Sequence, residues 1–108
     1  MATETRGQTP AGEIPGLMQQ AVAAHQRGDF AAAEERYREV LRCVPEHADA
    51  THFLGLLAHQ TGHAEAALVL LKQSVILGPG SALYRHNLGG VFRELGRHVE
   101  EIGRASCR

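Results

Sequence analysis

Seven histidines in 108 residues are the side chains whose number and spacing could do chemistry here, because a neutral imidazole binds transition metals and titrates near neutral pH. His25 and His59 stand 34 residues apart, as do His52 and His86, while His52 and His59 are seven apart, two turns of a helix. No carboxylate or thiolate recurs beside them to complete a tetrahedral zinc set, so they read as solvated side chains and no metal ligand is assigned. His59 and His63 have the i, i+4 spacing of a ligand pair, but Gly62 interrupts the helix that would hold both on one face. Ser74 and Ser81 lack the context of a nucleophile elbow. Cys43 reads as a small, half-buried apolar residue near a helix end, and Glu34, Glu35 and Glu39 interleave with Arg36, Arg38 and Arg42 as a solvated face. The sequence therefore assigns no catalytic residue and no cofactor.

The elements that must position these side chains follow from a repeat. At an offset of 34 residues Gly28 returns as Gly62 and Gly96, Pro45 as Pro79, Ala33 as Ala67, Ala24 as Ala58, and Ala21 as the equally small Gly55 and Gly89. Glycine reaches the left-handed backbone region without a side-chain clash, so these three glycines are expected to close the first helix of each pair. Pro45 and Pro79 cannot continue a helix and separate one repeat from the next. Between these marks, Leu17, Ala21 and Ala24 form one helical stripe, and Phe30, Ala33, Tyr37, Val40 and Leu41 a second. Small residues at 21, 55 and 89 and at 33 and 67 let backbones approach, while Tyr37 and Leu71 fill the space between.

This pattern resembles the tetratricopeptide-repeat family, whose motif runs W-x2-L-G-x2-Y, then A-x3-F, then P. Leu54-Gly55 and Leu88-Gly89 match the Leu-Gly pair, Phe92 the first aromatic, Ala33 with Tyr37 the A-x3-F step, and Pro45 and Pro79 the proline. The Trp is missing, with Leu17, Thr51 and Arg85 in its place, and Gln20 replaces the Leu of the first repeat. The resemblance implies an all-α fold of helical hairpins stacked as a short right-handed solenoid. It divides the chain into a disordered leader at 1–13, repeats at 14–47 and 48–81, and a truncated third repeat at 82–100. In the family the first helices line a concave groove that binds a peptide or partner helix. The corresponding residues are Asp49, His52, Leu56, His59 and Gln60 in the second repeat, with His86, Asn87, Gly90 and Arg93 in the third. Met18 and Val22, in place of lysines and asparagines, argue against recognition of chaperone C-termini. His86 to Gly96 also resembles the repeats ahead of the catalytic domain in bacterial O-linked N-acetylglucosamine transferases, where an asparagine ladder holds substrate backbone. Asn87 occupies that place, although Phe53 stands one period earlier. On this alternative the chain is the substrate-presenting arm of a glycosyltransferase.

Composition bounds the remaining classes. A net charge of −1 from 11 basic and 12 acidic side chains gives no basic patch for nucleic acid or an anionic membrane. The longest apolar run, Ala66 to Leu71, falls far short of the roughly 20 residues of a membrane span. A cytoplasmic protein-interaction scaffold with a protein or peptide partner is the expectation. Beyond Glu100 the repeat pattern stops, since Glu101 stands where it needs a small residue and Ala105 where it needs a large one. Ile102 to Arg108 resembles a translated sequencing adapter, so 101–108 is expected to be a non-native tail.

Overall fold

Two left-handed glycines set the path of the chain. In the computed structural model, which describes residues 11–106 and the side chains of residues 12–96, Gly28 has φ +82° and Gly62 φ +88°. Each closes a helix with the same pair of bonds. Gly28 N–H donates to His25 O (3.1 Å) and Asp29 N–H to Ala24 O (2.9 Å); Gly62 N–H donates to His59 O (3.2 Å) and His63 N–H to Ala58 O (2.8 Å). This six-residue closure satisfies carbonyls that a helix end otherwise leaves open. The helices so defined are α1 (Ile14–Arg27), α2 (Phe30–Cys43), α3 (Ala48–Gln60), α4 (Ala64–Leu77) and α5 (Ala82–Ser106). Among the described residues there is no strand, and the hairpins α1–α2 and α3–α4 stack with α5 as a short right-handed solenoid.

The starts of the helices are equally local. Pro15 sits in the first turn of α1, where its missing N–H costs nothing. Asp29 Oδ1 accepts from Ala32 N–H at the start of α2, and Ser81 Oγ from Tyr84 N–H at the start of α5. At α3 the cap is His47, whose Nδ1 accepts from Ala50 N–H (3.1 Å); the neutral ring then carries its proton on Nε2.

Packing follows the expected small-and-large scheme. Ala21, Ala33, Ala67, Tyr37 and Leu71 are all fully buried. A Cβ at Gly55 would lie 2.9 Å from Leu71 Cδ2 and 3.1 Å from Leu70 Cβ, so α3 and α4 touch there through bare backbone. At Gly89, one period later, such an atom would meet, among the described residues, only Arg93 Nη1, at 3.5 Å. Gly55→Val is therefore expected to destabilise the fold by about 1–3 kcal/mol through overpacking, whereas Gly89→Val leaves a urea denaturation midpoint nearly unchanged. Equal midpoint shifts for the two would contradict this.

Three expectations are corrected. Gly96 does not close a helix: α5 continues past it to Ser106. The residues after Gly96 lack an Asp29-like cap and the small-then-large face of a returning helix. A reversal would break helical hydrogen bonds without gaining burial, while an interior glycine costs only about 1 kcal/mol. Cys43 is exposed rather than half-buried. The leader is not wholly irregular, since Ala11–Glu13 form a 3-10 turn feeding α1. Residues 1–10, and Cys107 and Arg108 of the expected tail, lie outside the described residues.

Candidate functional site

The face built from the first helices carries a row of side-chain ties between successive repeats. His25 Nε2–H donates to Gln60 Oε1 (2.6 Å), and its Nδ1 accepts from Tyr37 O–H (2.9 Å). One period later His59 Nε2–H donates to Glu94 Oε1 (2.6 Å). Asn87 Nδ2 donates to His52 Nε2 (3.1 Å), and Tyr84 O–H donates to Asp49 Oδ1. Among the described residues, all four of these ties between successive repeats join residues 35 apart.

His52 is not a solvated groove residue. It is 0% exposed, stacked on Tyr84 with ring centres 4.5 Å apart and edge-on to Phe53 at 5.3 Å. Gly78 makes room for that stack, because a Cβ there would come within 2.8 Å of Tyr84 Cε2. His52 Nδ1 is buried without a hydrogen-bond partner. Burial lowers the His52 pKa below the ordinary 6.5, with the Asp49 carboxylate opposing the shift. Burial, then the Asp49 hydrogen bond and charge, push the Tyr84 phenol up to about 12.

A pH effect on stability follows. As pH falls, the unfolded chain takes up a proton on His52 before the folded chain does. Stability due to His52 is thus full above about 6.5 and is lost as pH falls through the depressed folded value. Urea melts between about pH 7.5 and 5 should show this loss, and His52→Gln should remove that part of the slope. An unchanged slope in the variant would assign the effect to other groups.

Two hollows lie side by side on this face. One of about 560 Å³ is bordered by Ile14, Met18, Gln19, His47 and Asp49 among others; the second, about 410 Å³, by His25, Tyr37, Leu56 and Gln60. Val22, Gln26 and Phe53 border both, making one groove between α1 and α3. Of the residues singled out from sequence, Asp49, Leu56 and Gln60 line it. His59 is half-buried and held by Glu94, and Asn87 is half-buried and held by His52. His86 and Arg93 are exposed on α5 with half-buried Gly90 between them, and none of these borders the two hollows. The sequence reading puts Met18 and Val22 on this face but not Ile14, Gln19 or Gln26, although Ile14, Met18 and Val22 recur every four residues beside the Leu17, Ala21, Ala24 stripe. Among the described residues no three His, Cys, Asp or Glu side chains converge as a metal site, and no helix is long and apolar enough to cross a membrane.

Known proteins resemble this chain in sequence or in fold. A Komagataeibacter xylinus protein, cellulose synthase 2 operon protein C, is 38% identical over 78 residues, 72% of this chain and 6% of that protein. A mutant of the Thermobaculum terrenum O-GlcNAc transferase superposes with a TM-score of 0.74 at 39% identity, covering 78% of this chain and 16% of the other. The MamA protein superposes with a TM-score of 0.69 at 27% identity, over 78% of this chain and 46% of its own. The chain thus spans a small part of the first two and under half of the third. The sequence pattern of the tetratricopeptide repeat matches residues 18–82. With that match over more than half its length, and the same glycine closure and small-residue packing in successive hairpins, the chain belongs to the tetratricopeptide-repeat family.

Proposed function

We propose that this chain is a protein-interaction scaffold that holds a peptide or partner helix against the face of α1, α3 and α5. The observation that carries this reading is the continuous groove between α1 and α3, in which Val22, Gln26 and Phe53 border both hollows. Asp49, Leu56 and Gln60 belong to its α3 wall, and His52 supports it from beneath through Phe53. His59, His86, Asn87, Gly90 and Arg93 extend the face toward and along α5. Stacked hairpins offer such surfaces without any moving part. A cytoplasmic setting goes with this reading, since an exposed free thiol such as Cys43 is uncommon in oxidising compartments. The test is to select peptides against the whole chain from a random display library and map one by amide chemical shifts. Shifts clustered at Val22, Gln26, Phe53 and Gln60 are expected; shifts confined to α2 and the outer side of α4 would sink the reading.

A second reading is favoured by the 39% identity to the O-GlcNAc transferase repeats: the chain is the substrate-presenting arm of a related bacterial glycosyltransferase. The asparagine expected to hold substrate there is Asn87, whose amide already donates to His52. The complete reading frame of the parent gene decides, through the presence or absence of a nucleotide-sugar domain after the repeats.

A further inference from the structure

Resting on the groove reading above, we infer that the occupant of the α1–α3 groove is an extended, uncharged segment anchored by two bulky apolar side chains, one for each hollow. The lining is nearly without formal charge. Among the described residues Asp49 is the only carboxylate bordering either hollow and no lysine or arginine does so, and Asp49 already accepts from the Tyr84 hydroxyl. Of the imidazoles, His25 has both ring nitrogens occupied, by Tyr37 and Gln60. His47 spends Nδ1 on the start of α3 and keeps Nε2–H to offer. An anionic occupant would leave water for a lining with no lysine or arginine to receive it, and a cationic one would find only Asp49, one of whose oxygens already accepts from Tyr84, so burying either charge is unfavourable. Ile14, Met18 and Val22 on one wall and Phe53 and Leu56 on the other provide apolar seats.

The polar groups indicate an extended backbone rather than a helix. Gln19 and Gln26 are exposed on α1, and with His47 they border the same hollow. Amides and an imidazole N–H match the donors and acceptors of an extended peptide, whose backbone groups face outward. A helical occupant satisfies its own backbone internally and presents nothing to them.

The experiment uses the whole chain and three pools of ten-residue peptides, blocked at both ends and fluorescently labelled. All carry two bulky apolar residues at varied spacing, with the other positions neutral, glutamate-containing or lysine-containing. Anisotropy should give the neutral pool about tenfold tighter binding than either charged pool, because burying an unpaired charge is costly. Its affinity should change by less than about twofold between low and high salt, since surface ion pairs alone are screened. Val22→Glu should weaken the neutral pool about tenfold by the same desolvation cost; a melt checks that this variant folds, and exposed Gln26→Ala serves as the second, milder probe. Tighter binding of a charged pool that Val22→Glu alters overturns this inference and leaves the groove reading standing. Binding indifferent to both substitutions, or failure of all three pools, overturns the two together.

Discussion

Tyr37→Ala is expected to cost about 3–5 kcal/mol, the range for removing a large buried aromatic. Tyr37 is fully buried, and three elements depend on it. It rises from α2, its hydroxyl donates to His25 Nδ1 of α1, and its ring stacks on Phe53 of α3 with centres 6.1 Å apart. Removing it opens a void between Ala21, Ala24 and Leu57, its neighbours in the first core cluster, and leaves one nitrogen of His25 without its donor. Small domains have only about 5–15 kcal/mol of stability in total. Circular dichroism at 25 °C should therefore show the variant largely unfolded or melting far below the parent. Tyr37→Phe keeps the ring and loses the hydroxyl, and should cost only about 1 kcal/mol. Similar melts for the Ala and Phe variants would mean that the ring does not hold the hairpin to α3.

Leu71→Ala is the second large effect, about 2–5 kcal/mol for a buried leucine. Leu71 is the α4 counterpart of Tyr37, fully buried against the Gly55 notch. Repeat arrays are held by nearest-neighbour interfaces, so the damage should be local in a way that Tyr37→Ala is not. Hydrogen exchange should accelerate first in α4 and α5, while α1 and α2 keep more of their protection. Uniform acceleration along the whole chain would instead describe one indivisible cooperative unit.

Much of this was legible because recurrence in sequence reports recurrence in packing. Gly28 and Gly62 were readable as turns since nothing but glycine takes φ near +85° comfortably. Ala33 with Tyr37 and Ala67 with Leu71 were readable as core because a small residue one turn before a large one is what closely packed helices require. Gly96 misled because a turn glycine only permits reversal, and burial of the returning helix must favour it. His52 misled for a different reason. Its counterpart in the first repeat is Met18, which packs against both core clusters, so the position faces the next repeat, and histidine there stays buried once Tyr84 covers it. The methionine was the available signal. His47 as a helix cap left no signal, since imidazole is not among the usual capping groups.

The four ties at a separation of 35 have a geometric consequence. Against a 34-residue period, each grips the neighbour of its own counterpart and never the counterpart itself. Each hairpin therefore meets the next with the same one-residue lead, so the ties run obliquely across every seam and not straight across it. Sliding one hairpin by a single residue to bring counterparts face to face would break all four ties at once, so the register between repeats is set as a unit.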